Sequence, residues 1–307
     1  MEKWLLRRLV SSFQDTKDPE TRNALGRVAG WMGIGINLLL VVGKITAGLL
    51  TGSIAVVADG ANNLMDALGS VITVAGFRMA AKKADEEHPH GHGRYEYIAG
   101  LAVAVLVLVV GVELARGGIS EIIAPSPVEF GVLIITVLGL SLAIKIWMAM
   151  FYGALSIKIG SSVLKAVSVD SRNDALATGA VLLSAVVSHL TGVALDGLAA
   201  LGVALFIIYN GIGLVRETIS PLVGEAPSPE LVQYISEKIA SYQGVLGLHD
   251  LIIHDYGPDR RYVSAHVEMP SDWEPLVTHD IIDRIERDLL DNDGIHLIIH
   301  YDPVEPG

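Results

Sequence analysis

Cysteine is absent from the 307-residue chain, which excludes disulfide frameworks, thiolate metal sites, iron–sulfur clusters and cysteine nucleophiles together. Any metal must therefore sit on His, Asp, Glu or amide oxygen. Charge is also scarce: 18% of residues are charged against 51% hydrophobic, and the mean hydropathy is +0.49, a balance foreign to an ordinary soluble enzyme. Basic residues nearly vanish towards the C-terminus, where residues 221–307 hold 17 acidic and 5 basic side chains against 17 of each in 1–220. Phosphate binding needs a basic face, so no nucleic-acid partner is expected. There is no nucleophile elbow, phosphate-binding glycine loop or cofactor motif, so neither an enzyme nor a catalytic cofactor is expected.

What the chain does have is apolar length. Six weakly charged runs, at 28–51, 53–80, 97–119, 130–153, 163–188 and 193–215, each approach the ~20 residues that a helix needs to cross a bilayer. The predicted fold is an α-helical membrane protein with six transmembrane helices over 28–216. Ahead of it, 1–27 reads as a basic amphipathic arm on the cytoplasmic surface. Lys and Arg gather in that arm, in the second-to-third connection (Lys82, Lys83, Arg94) and in the fourth-to-fifth (Lys158, Lys165), and are missing from the alternate connections. The positive-inside rule then places both termini in the cytoplasm. A Pro- and Gly-rich hinge at 217–228 leads into 229–307, where a helix-like stretch, two strand-like runs, a second helix and a last run give the order αββαβ of a small α+β domain.

Polar residues lie where lipid is expected. The second span contains Asp59, Asn62 and Asp66, and the fifth contains Asp170 and Asp174. A spacing of four puts Asn62 with Asp66, and Asp170 with Asp174, on one helix face. An ionised Asp at a helix centre facing lipid costs about 2.5–3.5 kcal/mol on insertion scales, so these groups must face each other, a base or a cation. Lys44, Lys145 and Arg172 are available as bases within the spans, and Asp59 suits a partnership with Lys44 as well as a place on a metal path. Otherwise the two pairs can enclose a divalent cation with three carboxylates and one amide carbonyl. Carboxylate and carbonyl ligands suit Mg²⁺, Ca²⁺ and Mn²⁺, whereas Zn²⁺ prefers some nitrogen or sulfur, so manganese ranks above zinc; the Irving–Williams order means that such a site also binds Zn²⁺ or Fe²⁺.

The run 44–66 with Lys44, Gly48, Ser53, Asp59 and Asp66, the loop 84–94 with Asp85, His88, Gly91, His92, Gly93 and Arg94, and the Asp170–Asp174 pair resemble the cation diffusion facilitator family across nearly the whole chain. The resemblance implies homodimers of six-helix protomers in the bilayer, with a cytoplasmic ferredoxin-like domain, exporting divalent metals in exchange for protons. It matches Asn62, Asp66, Asp170 and Asp174 to the transport site, and the absence of His among them is similar to the bacterial manganese-exporting members. It also implies a loop site at Asp85, His88 and His92 and a cytoplasmic site at His249, His266, His300 and Asp302, with His279 as a bridging candidate and zinc or another divalent metal as occupant. Arg94 is implied to pair with an acid near the start of the tail, for which Glu225 is the nearest. His254 and His296 receive no role.

Overall fold

The computed structural model describes residues 19–51, 54–124, 132–191, 196–258 and 260–305. Most of the expected N-terminal arm, and the short connections near 52, 125–131 and 192–195, lie outside the described residues. The described chain forms two compact units, one built from the long helices before Ala81 and from Tyr95–Ile219, the other from Lys82–Arg94 with Ser220–Gly307.

The first unit holds six long helices among the described residues: α1 (Pro19–Thr51), α2 (Ile54–Ala80), α3 (Tyr95–Ile123), α4 (Val132–Ile159), α5 (Ser162–Thr191) and α6 (Asp196–Val223). α1 starts ahead of the expected position 28 because Pro19 opens it and Glu20 sits in its first turn, where negative charge suits the helix dipole. Four helices (α1, α3, α4 and α6) are long and apolar enough to cross a bilayer. The two expected spans that fall short of that measure, α2 and α5, are the ones that carry Asp59, Asp66, Asp170 and Asp174.

The bundle is apolar outside as well as inside. Leu39, Leu50, Val132, Ile157 and Tyr209 are all more than 60% exposed, as expected where the solvent is hydrocarbon. Its core gathers Phe77, Met148, Phe151, Tyr152, Leu155, Val163 and Leu164. Helices approach closely through small residues: a Cβ on Gly30 of α1 would lie 2.5 Å from the Val74 side chain of α2, the close-contact device of membrane bundles. α4 and α5 form a tight antiparallel hairpin through Gly160, which takes a left-handed φ of 59°. Residues equally far from such a turn face each other, which brings Lys145 opposite Asp174.

The buried Arg22 and Glu96 of this unit are paired. Arg22 of α1 donates to both carboxylate oxygens of Glu96 in α3, at 2.7 and 2.9 Å, and to the Ile159 carbonyl at the end of α4 at 2.7 Å.

In the second unit, α7 (Pro229–Ala240), β1 (Gly247–Asp255), β2 (Arg261–Pro270), α8 (Pro275–Asp293) and β3 (Ile295–Val304) follow the expected order αββαβ. Ser228 Oγ caps α7 by accepting from the Leu231 N–H, and Pro229 follows at the first helical position. The sheet order is β1-β2-β3, with β1 antiparallel and β3 parallel to β2, the parallel pair being joined through α8 as a parallel crossover requires. Ile235, Ile239, Ile285 and Leu289 of the helices pack on Val263, Ala265, Val267 and Leu297. Both helices therefore cover one face of the sheet, and the opposite face carries the histidines.

Replacing Arg22 by Met leaves Glu96 buried without its fork of donors, a loss of about 3–5 kcal/mol for a broken buried pair. The purified variant should show a clearly lower thermal unfolding midpoint, and adding Glu96→Gln should recover part of it. An unchanged midpoint would count against this pair as a tie between α1, α3 and α4.

Candidate metal centres

Three clusters of ligand-type side chains occur among the described residues: Asp66 with Asp170 and Asp174, Asp85 with His88 and His92, and His249 with His266 and Asp302.

The first lies inside the helical unit. One oxygen each from Asp66 (α2), Asp170 and Asp174 (α5) fall within 4.8 Å of one another, although the two helices are more than a hundred residues apart in sequence. The four-residue spacing in α5 does what the sequence predicts. At the α2 end the arrangement is different in detail: Asn63, buried, donates through Nδ2 to Asp66 Oδ2 at 2.8 Å, while Asn62 is half-buried and makes no hydrogen bond to Asp66 among the described residues. A spacing of three shares a helix face as well as a spacing of four, and that was the available signal for Asn63.

A base stands in the middle of these acids. Lys145 of α4, 2% exposed, places Nζ 2.7 Å from Asp66 Oδ2 and 2.6 Å from Asp174 Oδ2. Asp170 makes no ion pair with it among the described residues. The other two bases of the spans go elsewhere. Lys44 pairs with Asp59 at 2.8 Å, as the partnership reading of Asp59 expected, and Arg172 is exposed with its guanidinium 5.9 Å from the Phe206 ring.

The second cluster belongs to the soluble unit. Asp85 Oδ1 accepts from the His88 N–H at 2.7 Å and lies 3.4 Å from His88 Nδ1, while Asp85 Oδ2 lies 3.4 Å from His92 Nε2. The His88 N–H holds the Asp85 carboxyl below its ordinary value, helped by the neighbouring imidazoles. His92 Nδ1 lies 3.1 Å from the Lys83 carbonyl, a contact that orients the ring with Nε2 towards Asp85. The segment is clasped to the end of the sheet. Arg94 donates through Nε and Nη2 to the Asp255 carbonyl at 3.1 and 2.7 Å and lies over the Tyr256 ring. Gly257, at φ 123°, lets backbone meet backbone, since a Cβ there would come within 2.5 Å of Gly93. Within the chain Arg94 meets the Asp255 carbonyl, because the clasp brings residues 82–94 to the β1–β2 turn, and Glu225 is exposed.

The third cluster crosses the open face of the sheet. Strand register aligns His249, His266 and His300 in one row. Asp302 collects them: its Oδ2 lies 3.1 Å from His249 Nε2 and 3.0 Å from His266 Nδ1, and its Oδ1 lies 3.5 Å from His300 Nε2. The His266 hydrogen bond holds the Asp302 carboxyl below its ordinary value, with the three imidazoles adding to the effect. Two details escaped the sequence. A register slip between His249 and Ile252, with Asp250 in the left-handed region at φ 48°, turns His249 and His254 to the same side despite their odd spacing. Glu268, two residues after His266 on the same strand face, reaches within 3.8 Å of His249 Nε2. His279 is exposed on α8 and does not join this cluster within the chain. His254 and His296 stand two rows along, beyond Ile252, Ser264 and Ile298, with His296 stacked on Tyr262 at 4.8 Å between centroids and His90 packed on Tyr262 from the loop. The donor sets of loop and sheet, imidazole nitrogens around one carboxylate, fit a zinc-type ion.

Carboxylates gathered within an apolar helical bundle, together with an acidic α+β domain bearing imidazole clusters, define a multi-pass membrane protein that handles cations. Residues 31–223 match the transmembrane domain of cation efflux proteins and residues 227–304 their cytoplasmic domain, and the chain belongs to the cation diffusion facilitator family. Among its relatives are cation-efflux pumps FieF of Cronobacter sakazakii, 30% identical over 86% of this chain and 88% of the relative, and of Escherichia coli, 30% identical over 87% and 89%. An uncharacterized transporter of Methanocaldococcus jannaschii is 29% identical over 80% and 86%.

Asp302 is the carboxylate that all three sheet imidazoles approach within 3.5 Å. Asp302→Ala is expected to weaken zinc binding at the sheet by at least about tenfold in competition titrations against a chelating dye, while His88→Ala leaves that site's affinity unchanged.

Proposed function

We propose that the protein exports Mn²⁺ from the cytoplasm by proton-coupled alternating access, as a homodimer of six-span protomers in the cytoplasmic membrane with both termini inside. The observation that carries the reading is the oxygen cluster of Asp66, Asp170 and Asp174 between α2 and α5. No imidazole joins it among the described residues. Hard oxygen donors suit Mn²⁺ over Zn²⁺, and Asn62 adds an amide carbonyl at the α2 end. Proton coupling then falls to carboxylates, which exchange protons for metal on the same oxygens.

The loop and sheet clusters supply a second role. Cytosolic zinc or another divalent metal bound there reduces repulsion between acidic tail domains and draws them together, which biases the helices between inward- and outward-facing states. The names of the cation-efflux pumps to which the chain is similar support the transport class and leave Zn²⁺ or Fe²⁺ export as the rival within it. From a different class, a membrane-anchored metal sensor would use the sheet cluster without transport.

Metal uptake into proteoliposomes separates these readings. Wild type should carry Mn²⁺ in preference to Zn²⁺, and Asn62→His should shift the preference towards Zn²⁺ by about tenfold, the scale of one changed ligand. Asp66→Ala and Asp174→Ala should abolish uptake. If the reconstituted wild type carries no metal above protein-free liposomes while His300→Ala removes a metal-induced change in the tail domain, the sensor reading replaces transport.

A further inference from the structure

Lys145 is the one group in the oxygen cluster that a metal carrier does not obviously need. Its ammonium occupies the oxygens a metal would use: Nζ lies 2.7 Å from Asp66 Oδ2 and 2.6 Å from Asp174 Oδ2, ordinary distances for charge-assisted hydrogen bonds. A divalent ion takes carboxylate oxygens at about 2.0–2.6 Å, so ammonium and metal on the same two oxygens would stand within a few ångströms of each other in a water-poor bundle and repel strongly. We infer that Lys145 is a tethered cation that holds the cradle until a dication displaces it, and so acts as a valence filter for the site.

The inference rests on the reading of Asp66, Asp170 and Asp174 as the transport site. Formal charge supports it. Once the three carboxyls have given up their protons, three carboxylates and one ammonium leave two negative charges, which one dication cancels; a monovalent ion leaves the cradle charged. Competition favours the same outcome, because the tether keeps the ammonium at a high effective concentration beside the carboxylates. Free Na⁺ or K⁺ offers no more charge than the group it must evict, whereas a dication offers twice as much.

The displaced ammonium has somewhere to go. Ser141 lies one turn before Lys145 on α4, in the direction helical side chains lean, and its Oγ is buried without a hydrogen-bond partner among the described residues. Asn63 Oδ1, whose amide nitrogen is already spent on Asp66, is likewise buried and unpartnered. Buried oxygens left unsatisfied in one state are common where a group arrives in another. Lys145 then remains close enough to keep the loaded site neutral, and its return to Asp66 and Asp174 speeds metal release.

The test is Mn²⁺ uptake by the full-length protein in proteoliposomes, with monodispersity in detergent as the check on folding. Lys145→Met should lower the half-saturating Mn²⁺ concentration by about tenfold and lower the maximal rate, since metal enters a vacant cradle and leaves it slowly. Na⁺ at about 100 mM on the loading side, a level that screens exposed charges little within contact distance, should compete with Mn²⁺ in Lys145→Met and not in wild type or Lys145→Arg. Ser141→Ala, a milder change, should raise the half-saturating Mn²⁺ concentration severalfold by removing the ammonium's second seat. A folded Lys145→Met with wild-type half-saturation and no Na⁺ competition overturns the filter. Should Lys145→Met fail to fold, wild-type half-saturation in Ser141→Ala overturns it instead. Asp66→Ala and Asp174→Ala run alongside: normal Mn²⁺ uptake in both would mean that the cradle itself was misassigned, a different failure from that of Lys145.

Discussion

Three carboxylates within 4.8 Å of one another inside a bundle of apolar helices repel each other and forgo hydration at once. A helical membrane protein retains such a group only if something compensates it. Here compensation comes from Lys145, reaching from α4 to touch acids on both α2 and α5. The contact ties three helices at one point and leaves Asp170 without an ammonium of its own. A buried pair of this kind contributes little net stability, because desolvation offsets most of the attraction. Its consequence is positional: donors from two helices converge, with a charge balance that one divalent ion completes.

The soluble unit solves a related problem in water. Its acidic excess makes a solvated, self-repelling surface, yet six histidines lie in the tail and three more in the clasped loop. With both helices on one face of the sheet, the other face is left to a row of imidazoles around Asp302 and a second row around Tyr262. The loop 82–94 joins the same unit through Arg94, Arg260 and the Gly93–Gly257 contact, so the loop cluster and the sheet cluster are carried on one body. Metal arriving at either meets imidazoles already oriented by carboxylate or carbonyl partners.

Much of this arrangement was legible in the chain because its signals are local. Apolar runs of bilayer length anticipated the long helices, and a helix-like stretch, two strand-like runs, a second helix and a last run anticipated the α+β domain. The spacing between Asp170 and Asp174 placed both on one face, and the His–x–Asp spacing of His300 and Asp302 did the same on β3. Other features were hidden because no local pattern encodes them. The slip after His249 reverses the side on which later residues point, Arg94 finds a backbone carbonyl that no charge-pairing argument would nominate, and Asn63 takes the contact that spacing alone offered to Asn62.

The amino-acid sequence determined the class of protein: hydropathy forced a lipid-embedded bundle, the missing cysteines limited metal to nitrogen and oxygen donors, and four intramembrane acids demanded a cationic partner. Which cation stands among them was decided by tertiary structure. Helix periodicity tells which residues share a face, but which faces meet depends on how the α4–α5 hairpin closes at Gly160 and how α2 packs against α5. That closure sends Lys145 to Asp66 and Asp174, and the packing of α1 on α2 sends Lys44 to Asp59, because pairing energies between distant segments act only after packing has brought the charges together.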